Sequence, residues 1–265
     1  MDYALIGGGN MGRALAAAVI ERGVAPAERV LVVEPDPEAA ARVRALGCTV
    51  EPQAGPAVGE AAVVVLAVKP QVAAEVCTGL RPLLGPEQAV VSIMAGVPLA
   101  ALRGWLGRDA LVRVMPNTPA QVGLGMNVFH AAPGVGPEQL RRVEALLGAA
   151  GETLAVASED AIDAATAVSG SGPAYVFYLA EHWVAAAQAL GFSAPEATRL
   201  VQQTLLGATA LWREAGLSPA ELRAQVTSKG GTTAAALEHF DAGQVGRNIA
   251  EGIARAYRRA KELGQ

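Results

Sequence analysis

Residues Ile6 to Gly12 read IGGGNMG, so that Gly7, Gly9 and Gly12 satisfy the spacing G-x-G-x-x-G. The run follows an apolar segment, Ala4 to Ile6, and opens an Ala-rich stretch of helical length, Asn10 to Gly23. A strand that must turn at once into a helix leaves few folds open. Gly7 permits the tight turn, Gly9 lets backbone approach a pyrophosphate, and Gly12 lets helix and strand lie close. The helix N-terminus adds free N–H groups and the positive end of the dipole. A dinucleotide is therefore the expected ligand, with Gly7, Gly9, Asn10, Met11 and Gly12 around its pyrophosphate. About 20 residues further on, a second apolar run ends at Glu34, where a carboxylate accepts hydrogen bonds from ribose hydroxyls. A 2′-phosphate would meet like charge from Glu34 and Asp36, although Arg42 or Arg44 on the next helix are cations in reach. The cofactor expectation is NADH or NADPH, leaning toward NADH.

Apolar runs recur at Val30 to Val33, Ala62 to Ala67, Ala89 to Ile93 and Leu111 to Met115, separated by helical stretches such as Asp36 to Leu46. Continuous apolar runs suit strands covered on both faces, and their alternation with helices predicts an α/β fold with an N-terminal Rossmann-like, doubly wound parallel sheet. Met126 to His130 and Glu152 to Val156 flank a helix from about Pro137 to Leu147 and extend that sheet at one edge. After Ser158 the strand signals stop. A long helix is expected from about Pro173 to Leu190, ended by Gly191. Ser193 with Glu196, and Ser218 with Glu221, are capping boxes that open two more. A last helix, Val245 to Leu263, puts Ile249, Ile253, Ala256, Tyr257 and Ala260 on one stripe. The expected division is residues 1–157 for the dinucleotide-binding domain and 158–265 for an all-helical domain.

Composition narrows the function. Of 265 residues, 52% are hydrophobic, 17% charged and only 4% aromatic, so the chain folds throughout on Ala, Val and Leu. With so few aromatics the helical half makes a weak core alone, and it is expected to pack against a second copy. A net charge of −4 without a basic run gives no footprint for nucleic acid. Two cysteines, Cys48 and Cys77, fit buried apolar positions in a reducing compartment. No signal-like segment and no uninterrupted apolar run of about 20 residues is present, so a cytoplasmic protein without a membrane partner is expected. The absence of HExxH and CxxC spacings leaves no metal site to expect.

Four further segments carry a resemblance: AVKP at Ala67 to Pro70, VMPNTP at Val114 to Pro119, SGSGPAY at Ser169 to Tyr175 and TSKGGTT at Thr227 to Thr233. In order and approximate spacing they resemble the Δ1-pyrroline-5-carboxylate reductase family, from Met1 to the final helix. The resemblance implies an NAD(P)H-dependent enzyme of proline biosynthesis with a C-terminal substrate-binding and dimerisation domain, working as a dimer or a dimer-based oligomer. It implies that Ala67, Val68, Lys69 and Pro70 lie along the nicotinamide ribose, and that Ser228, Gly230, Gly231, Thr232 and Thr233 bind the substrate. Two positions depart from the family: Lys229 stands where proline is usual, and Ala54 where some members have Asn.

The residues suit that chemistry. A protonated cyclic imine is already a good electrophile, so its reduction demands neither metal nor buried nucleophile, and positioning carries much of the rate. A Ser–x–Gly–Gly–Thr–Thr run entering a helix presents successive N–H groups to a small carboxylate. Thr233 would then place its hydroxyl near the ring nitrogen as the catalytic hydrogen-bond partner and proton relay. Asn117, between two prolines, reads as a turn former or a cofactor-side contact. The rival enzyme is a β-hydroxyacid dehydrogenase, whose alcohol oxidation uses a lysine base on the long helix; Ser169 to Leu190 contains no Lys. A non-catalytic nucleotide-binding regulator is the rival from another class.

Overall fold

A computed structural model describes residues 1–264. Eight strands form one sheet in the order β3-β2-β1-β4-β5-β6-β7-β8. They are β1 Tyr3–Ile6, β2 Val30–Val33, β3 Thr49–Glu51, β4 Val63–Leu66, β5 Ala89–Ser92, β6 Leu111–Met115, β7 Gly125–Ala131 and β8 Gly151–Ala155. The first six are parallel, whereas β7 runs antiparallel to β6 and β8 parallel to β7, so the two late strands extend the sheet at the β6 edge with reversed direction. Edge strand β3, which no apolar run announces, pairs with β2.

Strand sequences explain the double winding. Every residue of β1, β2, β4, β5 and β6 is buried, and alternate side chains enter opposite layers. Val30, Val32, Val63 and Val65 join Leu15 and Val19 of helix α1 (Asn10–Glu21) and Leu146 and Leu147 of α5 (Pro137–Ala149). Leu31, Val33, Val64 and Leu66 join Cys77 and Leu80 of α3 (Ala73–Leu80) and Leu102 and Leu106 of α4 (Leu99–Leu106). Helix α2, Pro37–Arg44, is started by Asp36, whose carboxylate accepts from Ala39 N at 2.8 Å. Both cysteines are buried and free, and burial pushes the Cys77 thiol up to about 11, so they behave as apolar packing groups.

Past the sheet the chain is helical: α6 Asp160–Ala165, α7 Gly172–Ala189, α8 Ala194–Ala215, α9 Pro219–Gln225, α10 Thr232–Ala242 and α11 Val245–Leu263. Between α6 and α7, Thr166–Gly170 form a π-helical turn. Both expected capping boxes are formed, with Glu196 accepting from Ser193 N at 2.9 Å and Glu221 from Ser218 N at 2.8 Å. These bonds, chiefly from the serine hydroxyls, hold both carboxyls below the usual range. The chain divides into two compact units, Met1–Pro173 with Ala256–Gln265, and Ala174–Arg255. The sheet unit thus runs past residue 157 and takes in the end of α11. Among the described residues no helix is long and apolar enough to cross a membrane.

Candidate active site

The strand order reverses at β1, which lies between β2 and β4. In open α/β sheets such a reversal leaves a crevice outside the carboxyl ends of the strands, where ligands bind. The glycine turn lies at that edge: Gly7 N donates to Val33 O at 2.9 Å and Ala67 N to Ile6 O at 2.8 Å, tying the ends of β1, β2 and β4 together. Gly7 has φ +111°, and a Cβ on it would lie 2.6 Å from Ala67 O. A Cβ on Gly12 would land on the Gly7 carbonyl oxygen. Around a Cβ built on Gly9, by contrast, no protein atom lies within 4 Å. Gly7 and Gly12 are therefore required by the protein's own packing, whereas Gly9 keeps a face open to a ligand.

Gly9 is also the N-cap of α1, without a side-chain cap and without an acidic residue in the first turn. The first N–H groups of α1 and its positive dipole end are thus left to an anion. Asn10 is exposed there, whereas the Met11 side chain turns into the core, so its contribution to an anion site is its backbone. The residues fit a pyrophosphate.

Glu34, at the end of β2, is held rather than free. Its Oε2 accepts from Gly8 N at 2.7 Å and its Oε1 from Asp36 N at 2.9 Å. Sequence reasoning passed over Gly8, the extra glycine of the triplet. A Cβ there would lie 3.0 Å from Val43 Cγ2 and 3.2 Å from Glu34 Cβ, so glycine at this position lets Glu34 sit against the turn. Of the two cations weighed for a 2′-phosphate, Arg42 and Arg44, Arg42 lies 3.8 Å from Glu38 in an ion pair on its own helix. Ala67 and Val68 are half-buried beside the turn, and Lys69 and Pro70 are exposed at the start of the next 3-10 turn.

The second expected cluster belongs to the other unit. Gly230 has φ +70°, and Gly231 is the N-cap of α10 with no side-chain cap and no acidic residue in the first turn. Gly231 N donates to Ser228 O at 3.0 Å, closing a turn that brings Ser228 to the helix start, and a Cβ on Gly231 would collide with Ser228 Oγ. Thr232 and Thr233 are the first residues of α10, the former exposed and the latter half-buried. This uncapped start, with two threonine hydroxyls and a serine beside it, offers hydrogen-bond donors that a small anion can accept. Asn117 has a different role from the cofactor contact considered for it. Its Oδ1 accepts from Met126 N at 2.8 Å and its Nδ2 donates to Ser169 O at 3.1 Å, bridging two loops.

The chain is 41% identical over 264 residues to the pyrroline-5-carboxylate reductase of Pseudomonas aeruginosa, covering 99% of this chain and 96% of that relative. It belongs to the pyrroline-5-carboxylate reductase family. Residues 159–263 match the model for pyrroline-5-carboxylate reductase dimerisation, and residues 2–96 the one for coenzyme F420-dependent NADP oxidoreductases. The solved pyrroline-5-carboxylate reductase from Coxiella burnetii superposes with a TM-score of 0.93 at 34% identity, over 100% of this chain and 98% of that one. The Plasmodium falciparum pyrroline carboxylate reductase, solved with NADP bound, gives 0.89 at 25% identity over the same shares.

Proposed function

We infer that the chain reduces the C=N bond of Δ1-pyrroline-5-carboxylate with NAD(P)H, giving proline. The full-length likeness to reductases of this name carries the reading, and both anion sites are intact within it. The pyrophosphate would be held by Gly7, Gly9, Asn10, Met11 and Gly12, and the ribose next to the nicotinamide by Ala67, Val68, Lys69 and Pro70. When bound, the reduced nicotinamide would supply a hydride to the imine carbon and be left oxidised, while the nitrogen keeps or gains a proton, so that the C=N double bond becomes a C–N single bond with one new C–H and one N–H.

The remaining tasks fall to the loop before α10. The N–H groups of Gly230 and Thr232, with the Ser228 hydroxyl, grip the substrate carboxylate, and Gly231, whose own N–H closes the turn onto Ser228 O, lets the loop approach it. Thr233 hydrogen-bonds the ring nitrogen and relays its proton from water. Holding the imine in near-attack geometry contributes up to about 7–11 kcal/mol to barrier lowering in favourable cases. We assign substrate binding and self-association to residues 158–265 and cofactor binding to 1–157, a division supported by the dimerisation match starting at residue 159. Unpaired buried cysteines suit a reducing compartment, and we place the chain in the cytoplasm.

NADH is the preferred donor in this reading. Two backbone N–H groups fix the Glu34 carboxylate at the ribose end of the crevice, where it accepts from both hydroxyls of an unphosphorylated ribose and repels a 2′-phosphate. The test follows the loss of nicotinamide absorbance with pyrroline-5-carboxylate, run in parallel with NADH and NADPH. Faster oxidation of NADH is expected. Equal or faster oxidation of NADPH removes the preference, and oxidation of neither removes the reductase reading.

A further inference from the structure

One buried charge in the sheet unit takes no part in either anion site. Arg113, in the middle of β6, has a side chain only 3% exposed. Its Nη1 donates to Glu159 Oε1 at 3.0 Å and its Nη2 to Asp163 Oδ1 at 2.6 Å. Glu159 Oε1 also accepts from Leu99 N at 2.7 Å, at the start of α4. The two carboxylates stand at the start and within the six residues of α6, a helix too short to persist without tertiary support.

Arg113 begins a series with the period of a strand. Two residues on, Met115 meets the next part of the same segment: a Cβ on Gly170 would lie 3.2 Å from Met115 Sδ. Two residues further, Asn117 Nδ2 donates to Ser169 O. Positions 113, 115 and 117 thus meet α6, Gly170 at the end of the π turn and the Ser169 carbonyl beside it. The π turn is a rare geometry that recurs at functional sites, and Ser171 N closes it onto Thr166 O at 2.8 Å. It lies at the carboxyl end of β6, the sheet edge that also carries the glycine turn. Just beyond it, at Pro173, the chain leaves the sheet unit for the unit that bears the loop before α10. The return crossing is tied to the same helix, with Lys261 Nζ 4.0 Å from Asp160.

We propose that Arg113 is a positioning residue for hydride transfer: with Met115 and Asn117 it fixes the segment Glu159–Ser171, and so the point from which the substrate-binding unit departs. This rests on the reductase reading for its kinetic consequence, though not for its structural one. Stability alone does not account for a buried ionic triad, because apolar side chains of similar volume commonly serve as well or better. A guanidinium adds what apolar packing lacks, namely two directed donors that fix α6 in register against one strand.

The test uses the whole chain and three variants. Arg113→Met combined with Glu159→Gln and Asp163→Asn removes the charges without leaving one buried and unpaired, and Asp163→Asn alone keeps the shape. NADH binding, followed by fluorescence, should stay within twofold of the unsubstituted chain, because the glycine turn stands on β1, α1 and β2. The turnover number should fall about 10- to 100-fold, the range expected from a misplacement of about 1 Å, and amide exchange at Ser171 should accelerate. Arg113→Lys, with one ammonium for two carboxylates, should fall between. Turnover within twofold in a folded variant, or unchanged exchange at Ser171, overturns the proposal; should the triple variant fail to fold, Asp163→Asn decides by the same readouts. Failure of the reductase reading shows separately, as absence of NADH and NADPH oxidation by the unsubstituted chain, and leaves the exchange result to judge the positioning role.

Discussion

In the unit built on the sheet, five strands are buried at every residue, whereas in Ala174–Arg255 only Ala187, Ala197 and Val201 are. The sheet is closed in by α1 and α5 on one face and α3 and α4 on the other. The helical unit instead exposes Phe177 (67%), Tyr178 (66%) and Leu206 (61%), together with Trp183, Leu211 and Trp212. Apolar exposure on this scale marks a surface that another molecule covers, and the dimerisation match spans these residues. One part of the chain thus completes its core alone, and the other, which matches a dimerisation domain, leaves its apolar face uncovered.

The sharpest way to break this comparison uses two side chains of nearly equal exposure. Phe177→Asp should abolish dimers and unfold much of the helical content, seen by light scattering and circular dichroism. Leu124→Asp, at a residue 66% exposed in the sheet unit, should stay within about 0.5 kcal/mol of the parent, as surface changes usually do. Equal tolerance of both would mean that the helical unit stands alone. Next in size is a pair within the glycine turn. Gly12→Ala places a methyl on the Gly7 carbonyl and should lower the melting temperature as well as NADH binding. Gly9→Ala meets no protein atom, so stability should be kept while the NADH dissociation constant rises at least about tenfold, or 1.4 kcal/mol. Parallel losses of stability in both variants would refute the division of labour among these glycines.

Thr233→Ala tests the other unit's site and should lower turnover about 10²-fold, the lower end for a lost proton-transfer group, with NADH affinity unchanged. Unaltered turnover would remove Thr233 from the mechanism. The smallest effect concerns pH. Glu196 and Glu221 have folded-state pKa values below their unfolded ones, so their contribution is fully present above the ordinary carboxylate pKa and is lost as pH falls through the lowered folded values. Acid titration should therefore fray the starts of α8 and α9, and Ser193→Ala with Ser218→Ala should flatten that part of the profile. An unchanged acid limb would show that these caps contribute nothing measurable.

Elements whose signals are local were legible. Val30–Val33, Leu111–Met115 and Val245–Leu263 have the bounds expected from their sequence, because apolar runs and stripes report burial directly. Edge strand β3 was not legible: its residues Thr49 to Glu51 are exposed or half-buried, and a strand that needs no apolar run leaves none to read. Gly8 was hidden by the pattern itself, which gives a reason for three glycines of four and none for the one that seats Glu34. Asn117 carried the signal of a turn, and its two side-chain partners, at Met126 and Ser169, lie 9 and 52 residues away.

By itself the sequence determined which segments become strands and helices, where the glycine turn between the first strand and helix lies, and that the helical half buries little of its own apolar surface. These follow from side-chain polarity at short, regular spacing, which acts before any distant contact forms. Only the tertiary structure decided the sheet order, the reversed direction of β7 and β8, and the pairing of Arg113 with carboxylates 46 and 50 residues away. A buried arginine in a strand is costly until the fold brings its partners to it, and no spacing within β6 announces where they will come from.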